Sequence, residues 1–195
     1  MSDIETFEFS EADKARCDEI VARYPEGRQQ SGVIPLLDLA QRACGGWLPT
    51  AAIEHVADRL DMPNIRVLEV ASFYSMFNLK PVGKNFVQLC RTTPCWLCGS
   101  DELRKVAAEV TGCGLGETSG DGVFTVVEVE CLGACCNAPM VQINDDYYED
   151  LTADNFRTVL EALKRGETPD VGSQTGRTGS EPADGLTSLT GLGAD

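Results

Sequence analysis

The sequence predicts an α+β protein in which a small N-terminal helical bundle precedes a domain of mixed strands and helices. Apolar residues recur at three- to four-residue spacing between residues 10 and 78, which is typical of amphipathic helices. Beyond Pro81 they gather in short β-branched runs that alternate with helical patterns. The chain also carries nine cysteines among 195 residues. We therefore expect a protein whose chemistry depends on sulfur.

The helical bundle is predicted within residues 1–80, where the segments with apolar periodicity are joined by short connections. Its helices are expected over residues 11–23, 33–44, 51–60 and 65–77. Ser10 and Thr50 are the expected N-caps, because a hydroxyl group can accept a hydrogen bond from a backbone N–H of the first turn. Short connections between amphipathic helices imply that they pack on one another as a bundle.

A second domain is predicted over residues 81–165. Its strands are expected at residues 85–89, 123–129 and 140–143, with a fourth beginning at Tyr147, and its helices at residues 100–110 and 154–163. A helical crossover permits parallel pairing of the first two strands, and a hairpin turn at residues 144–146 supplies antiparallel pairing. The order β-α-β-β-β-α with cysteines at strand ends predicts a thioredoxin-like fold.

Residues 166–195 are predicted to form a disordered acidic tail. The segment holds seven of the chain's 19 glycines together with five threonines, and it has few large apolar side chains. Such a composition cannot bury enough surface to offset the entropy lost on ordering. Ordering of the tail by a partner is the alternative.

The charge of the chain excludes several functions. With 31 acidic and 16 basic side chains, the net charge is −15, which disfavours nucleic acid and anionic lipid surfaces as partners. No apolar run is long enough to span a bilayer, and the acidic N-terminus has no signal-peptide character. We therefore expect a cytosolic protein, or its bacterial equivalent. His55 is the single histidine, which disfavours mixed Cys/His zinc sites and ordinary acid–base catalysis.

Six cysteines form two clusters that follow predicted strands, and four converging thiolates would bind a [2Fe–2S] cluster, a [4Fe–4S] cluster or zinc. The candidate ligands are Cys90, Cys95, Cys98, Cys131, Cys135 and Cys136. The glycine in Cys131-Leu-Gly-Ala-Cys135 lets the backbone approach a cluster closely, and a Cys-x4-Cys loop can wrap one of its edges. Cys98 and Cys136 remain alternatives. The remaining three cysteines, which lack partners at ligand spacing, are expected to be small buried residues: Cys17, Cys44 and Cys113.

Two other classes of function compete with an electron carrier. Cys95 and Cys98 have the spacing of a dithiol–disulfide couple at a strand-to-helix junction, where a helix N-terminus lowers the pKa of a thiol. That function would leave the second cysteine cluster unexplained. A zinc-stapled interaction module is the third possibility, although only Cys95 and Cys98 have the two-residue spacing that zinc ribbons favour.

The cysteine pattern resembles the thioredoxin-like [2Fe–2S] ferredoxin family. Cys90 and Cys95, followed by Cys131 and Cys135, carry the resemblance over roughly residues 15–165. The stretches VIPLLDLAQR, EVASFYSMFN and KPVGK are similar to the 24 kDa (E-type) subunits of respiratory complex I, NADH:quinone oxidoreductase. Small subunits of NAD-linked formate dehydrogenases and NAD-reducing hydrogenases are the alternative within the same class.

This resemblance implies that Cys90, Cys95, Cys131 and Cys135 ligate one [2Fe–2S] cluster, which exchanges single electrons with a partner. The partner would be a flavoprotein subunit that binds FMN and NADH, together with the further iron–sulfur subunits of the peripheral arm. The chain would then lie on the cytoplasmic side of a bacterial inner membrane, or on the matrix side in a mitochondrion. No catalytic activity is expected of the isolated chain, because nothing in it resembles a flavin or dinucleotide site.

Overall fold

Four helices form in the first part of the chain because apolar residues repeat along one side of most of them. A computed structural model describes residues 4–185 and 187–188, and it divides the chain between Val82 and Gly83 into two units. The helices of the first unit are α1 (Glu11–Val21), α2 (Val33–Ala43), α3 (Thr50–Arg59) and α4 (Asn64–Phe73), with a 3-10 turn at Gln29–Gly32. The predicted helical content of this part is therefore confirmed.

The core of the first unit is made by side chains that the helical spacing directs inward. Leu36 and Leu37 of α2 are fully buried, as are Val56 of α3 and Val67 of α4. His55 is half-buried, and its ring makes edge-to-face contacts with the rings of Phe7 and Phe9. These contacts explain the single histidine as part of the packing of this unit.

Two predictions about helix ends require correction, whereas the predicted N-cap of α1 is confirmed: the Ser10 side chain accepts from the Asp13 N–H. Thr50 is not an N-cap but the first residue of α3, with Pro49 at the cap position. The last helix ends at Phe73 instead of residue 77. In a continuous helix Phe73 and Phe77 would share one face. The chain instead becomes extended at Tyr74, which leaves Phe73 79% exposed and buries Phe77 in the core.

The second unit follows the predicted order of strands and helices with additional short elements. Its elements are β1 (Asn85–Cys90), α5 (Thr93–Leu97), α6 (Ser100–Thr111), β2 (Glu117–Thr118), β3 (Phe124–Val129), a 3-10 turn at Cys135–Asn137, β4 (Val141–Ile143), β5 (Asp146–Glu149), α7 (Ala153–Lys164) and β6 (Gly172–Ser173). Helix α5 lies where the sequence predicts a loop. Its five residues are too few to show an apolar period, although Pro94 in the first turn is compatible with a helix.

One mixed sheet joins the strands in the order β2-β3-β1-β4-β5-β6. Strands β1 and β3 pair in parallel, because α6 carries the chain from one end of the sheet to the other between them. Strands β4 and β5 form the predicted antiparallel hairpin. The predicted α+β class and the thioredoxin-like plan are confirmed. Apolar side chains of the sheet meet those of α6 and α7 in the core, among them Val87, Leu103, Phe124 and Phe156.

The segment after α7 differs from the predicted disordered tail over the residues that the structure describes. Strand β6 pairs in parallel with β5, placing Gly172 opposite Tyr148 and Ser173 opposite Glu149. The pairing of β6 with β5 and the ion pair between Arg177 and Asp150 hold this segment against the second unit. The polar composition of the segment does not predict these contacts. Residues 186 and 189–195 of the predicted tail lie outside the described residues.

Candidate metal centre

The two cysteine clusters meet because β1 and β3 run in parallel. Cys90, the last residue of β1, lies opposite Val129, the last residue of β3. Cys131 follows Val129 by two residues, so the segments that come after β1 and β3 leave the sheet at the same edge. The carboxyl ends of neighbouring parallel strands therefore bring together residues that are 41 positions apart in sequence.

Cys90 and Cys95 form the buried half of the site. Their side chains are 2% and 1% exposed, and both pack against Met140, immediately before β4. Helix α5 turns the chain back after β1, which places Cys95 beside Cys90. The backbone N–H of Met140 donates a hydrogen bond to the Cys95 sulfur. This half of the site is thus held by the sheet and by a short helix.

Cys131 and Cys135 form the exposed half. Their sulfur atoms are 3.3 Å apart, and the Gly133 N–H donates to the Cys131 sulfur at 3.4 Å. Gly133 has a φ of +85°, a conformation that favours glycine and allows the loop to curve around the thiols. The Tyr147 hydroxyl of β5 donates to the Leu132 carbonyl at 2.7 Å, which ties the loop to the sheet.

Thr92 joins the two halves, and no sequence pattern identifies it. Its hydroxyl oxygen lies 3.4 Å from the Cys90 sulfur, and it also forms a hydrogen bond with Cys131. The signal available in the sequence is its place inside the Cys90–Cys95 loop, but a threonine in a loop has no distinctive pattern. Only the fold places that hydroxyl group between the two sulfur atoms.

Each pair of thiols contains one with a lowered pKa and one with a raised pKa. Burial acts to raise the pKa of Cys90, but hydrogen bonds from Thr92 and from the Leu132 backbone together lower it. The Gly133 N–H lowers the pKa of Cys131. Burial raises the pKa of Cys95 to about 12, and the hydrogen bond with Cys131 raises that of Cys135. Metal binding at these thiols would therefore displace protons.

The remaining cysteines lie apart from these pairs. Cys98 is exposed after α5 and lines a cavity of about 500 Å³ together with Pro139 and Arg177. Cys136 is exposed beside Cys135. Cys17 and Cys113 are buried as predicted, whereas Cys44 is half-buried against the core of the helical unit.

The donor set fits a two-iron cluster better than a single metal ion. Within residues 4–185 and 187–188, no three His, Cys, Asp or Glu side chains are arranged to hold one ion. Structural zinc needs four ligands around one centre. A [2Fe–2S] cluster requires two ligands at each iron, and thiols arranged in two pairs meet that requirement. Backbone N–H groups directed at sulfur are also the means by which proteins adjust such clusters.

A thioredoxin-like domain with paired thiols at one edge of its sheet defines a class of cysteine-ligated iron–sulfur proteins. The model of the family described as "Thioredoxin-like [2Fe-2S] ferredoxin" matches residues 17–164. The chain belongs to this family, which confirms the resemblance seen in the sequence and the [2Fe–2S] cofactor expected from it.

Curated relatives are similar over most of the chain. The E-type subunit of the NADH-quinone oxidoreductase from Rickettsia bellii is 52% identical over 161 residues, which are 83% of this chain and 96% of the relative. Its counterpart from Rickettsia conorii is 54% identical over the same length. The mitochondrial NADH dehydrogenase [ubiquinone] flavoprotein 2 of Dictyostelium discoideum is 47% identical over 94% of this chain and 74% of its own length.

The similarity of this chain to solved structures supports its fold and nothing more. An NAD+-reducing [NiFe]-hydrogenase in the H2-reduced state matches with a TM-score of 0.60 at 20% identity. The match covers 67% of this chain and 22% of the hydrogenase chain.

Proposed function

We propose that this chain is the electron-transfer subunit of an NADH:quinone oxidoreductase and that it carries one [2Fe–2S] cluster. The proposal rests on one observation: two thiol pairs stand at one edge of the sheet in a chain that is about half identical to subunits of that complex. Cys90, Cys95, Cys131 and Cys135 are the proposed ligands. When bound, the cluster supplies a one-electron redox couple.

Two of the proposed ligands, Cys90 and Cys95, are carried by regular elements of the second unit. Cys90 ends a central strand of the sheet, and Cys95 is fixed by the packing of α5. Ligands on rigid elements reposition little when the charge of the centre changes, which suits electron exchange. The hydrogen bonds from Thr92 and Gly133 reach the sulfur atoms, where negative charge increases on reduction.

The proposed partner is the flavoprotein subunit that binds FMN and NADH, and through it the other iron–sulfur subunits of the peripheral arm. No helix among the described residues is long and apolar enough to cross a membrane. We propose a peripheral position in the complex, on the cytoplasmic side of a bacterial inner membrane or the matrix side of a mitochondrial one.

A dithiol–disulfide function of Cys95 and Cys98 is less well supported. Cys95 is 1% exposed and its pKa is raised, whereas an attacking thiol must be accessible and ionised. Cys98 is exposed after α5, so only one thiol of this couple is accessible. The geometry therefore favours ligation over thiol exchange.

The test is electron paramagnetic resonance of the anaerobically purified chain before and after reduction with dithionite, with iron and acid-labile sulfide counted on the same sample. We expect two iron and two sulfide per chain, no signal when oxidised, and a spin-half signal on reduction. The separate serine variants of Cys90, Cys95, Cys131 and Cys135 should lose the cluster or change the signal.

The matched controls are Cys98→Ser and Cys136→Ser, which change the exposed neighbours of the proposed ligands. Both should retain the parent spectrum. Loss of the signal in either control would contradict the proposed ligand set, and zinc without sulfide in the parent chain would contradict the proposed function.

A further inference from the structure

The segment Gly172–Glu181, which we call the C-terminal strap, lies against the turn that carries Cys135. It begins with β6, which pairs with β5, and the Gln174 N–H then donates to the Glu149 carbonyl at 2.9 Å. The strap lies beyond residues 17–164, the part of the chain that matches the family. Its contacts with the site are therefore additional to the features that define the family.

Arg177 makes the central contacts of the strap. Its guanidinium group donates to both carboxylate oxygens of Asp150 and, at 2.9 Å, to the carbonyl of Cys136. It also donates to the Glu181 carbonyl at 3.0 Å, closing the strap on itself. The Arg177 and Asp150 side chains are 11% and 13% exposed, so water screens this ion pair little. A bidentate pair fixes the orientation of the guanidinium group as well as its position.

The turn Cys135–Asn137 is also bound to the end of β5 and to the strap through Asn137, which is 2% exposed. The Asp150 N–H donates to the Asn137 carbonyl at 2.9 Å. The Asn137 amide donates to the Glu149 carboxylate at 2.9 Å and to the Gly179 carbonyl of the strap at 2.8 Å. The turn Cys135–Asn137 is thus held from one side by the end of β5 and from the other by the strap.

We propose that the C-terminal strap positions Cys135, with Arg177 as the positioning residue. The inference rests on the proposed ligand set. Without Arg177, the Cys136 carbonyl loses a charged donor, and the half-buried Asp150 carboxylate loses its counterion and keeps only the Ser173 hydroxyl as a side-chain donor. The turn that carries Cys135 then gains freedom. Cys90 and Cys95 keep their positions, because β1 and α5 hold them independently of the strap.

The test uses the full chain with Arg177→Gln, purified anaerobically beside the parent. Backbone hydrogen exchange is measured for peptides covering residues 132–138 and 89–97, and the rate of iron release to a chelator is measured on the same samples. We expect faster exchange at residues 132–138 alone and iron release that is roughly 10–100-fold faster, the usual effect of removing a group that orients a ligand. The spectrum of the reduced cluster should broaden as well.

Three further variants make the result decisive. Arg165→Gln removes an exposed ion pair with Glu167 and should match the parent. Arg177→Lys keeps the charge, but an ammonium group lacks the planar set of donors with which the guanidinium group bonds to Asp150 and Cys136. We therefore expect a rate of iron release between those of the parent and Arg177→Gln. If Arg177→Gln does not fold, the double variant Asp150→Asn/Arg177→Gln removes both charges together and is measured in its place.

Unchanged exchange at residues 132–138, or exchange that rises equally across the second unit, overturns the proposal. An iron release rate equal to that of Arg165→Gln also overturns it. Iron and sulfide counts on the parent chain separate this inference from the proposed function. A parent that lacks the cluster refutes the function, and the exchange comparison still decides whether the strap orders the turn.

Discussion

At the scale of single residues, the hydroxyl group of Thr92 illustrates how this domain adjusts its thiols. It lies 3.4 Å from the Cys90 sulfur and also bonds to Cys131, one thiol from each pair. A donor directed at sulfur stabilises the form of a cluster that carries more negative charge. Thr92 should therefore raise the reduction potential of the cluster, without ligating it.

We predict that Thr92→Val lowers the reduction potential by roughly 20–60 mV. This figure takes about 0.5–1.5 kcal/mol for one hydrogen bond and about 59 mV per tenfold change for a one-electron couple. A redox titration followed by electron paramagnetic resonance measures the shift. Thr93→Val is the control, because the neighbouring Thr93 is exposed as the first residue of α5. An equal shift in both variants would show that the Thr92 hydroxyl is not the cause.

At the scale of elements, α7 is stabilised by a reciprocal cap at its N-terminus. The Thr152 side chain accepts from the Asn155 N–H, and the Asn155 side chain accepts from the Thr152 N–H at 2.6 Å. The helix supplies Phe156 and Leu160 to the core of the second unit. Loss of the cap exposes two backbone donors at the end of a helix that covers the sheet.

We predict that Thr152→Ala lowers the free energy of unfolding by about 1 kcal/mol, the usual cost of removing a threonine N-cap. Urea denaturation followed by circular dichroism measures it. Thr158→Ala is the matched control on the same helix: Thr158 is exposed and bonds only to the Asp154 carbonyl of the preceding turn. Alanine there should be neutral or slightly stabilising. A similar loss in both variants would contradict the capping role.

At the scale of the whole molecule, large apolar side chains are exposed together between residues 64 and 79. They are Ile65, Leu68, Phe73, Tyr74, Met76 and Leu79. Exposed apolar groups gathered in one segment indicate a surface for protein contact. Since the proposed function places the chain in a complex, we expect this segment of the helical unit to contact the flavoprotein partner.

We predict that Phe73→Ser weakens binding to that flavoprotein subunit roughly 30-fold, because a buried aromatic residue at an interface often contributes about 2 kcal/mol or more. Biolayer interferometry with the purified subunits measures the dissociation constant. Leu115→Ser, an exposed apolar residue of the second unit, is the control and should bind as the parent does. Unchanged binding by Phe73→Ser would exclude this side chain from the interface.

Local patterns in the sequence predict the elements well but miss their shortest members. Helices α2, α3, α6 and α7 lie within one or two residues of the predicted bounds, because several turns of apolar periodicity define each one. Helix α5 has five residues and no such period. The early end of α4 depends on which of Phe73 and Phe77 the core buries, and both are equally apolar.

Close approaches of the backbone are also invisible in the sequence. A Cβ added to Gly83 would lie 2.6 Å from the carbonyl carbon of Phe124 on β3. The glycine is part of the KPVGK stretch, whose composition predicts only a break between the two parts of the chain. Glycine is required at position 83 because the backbone of Phe124, 41 residues further along the chain, lies so close.

The sequence by itself determined the class of fold, the positions of most helices and strands and the six candidate cysteines, and its resemblance to a known family implied the four proposed ligands. These properties depend on residue type and short-range spacing, which a linear pattern records. Only the tertiary structure decided that Thr92 lies between the two thiol pairs and that Arg177 reaches Asp150 and the Cys136 carbonyl. The two Arg177 contacts join residues 27 and 41 positions apart, and they form because strand pairing brings those backbones together after the local elements exist.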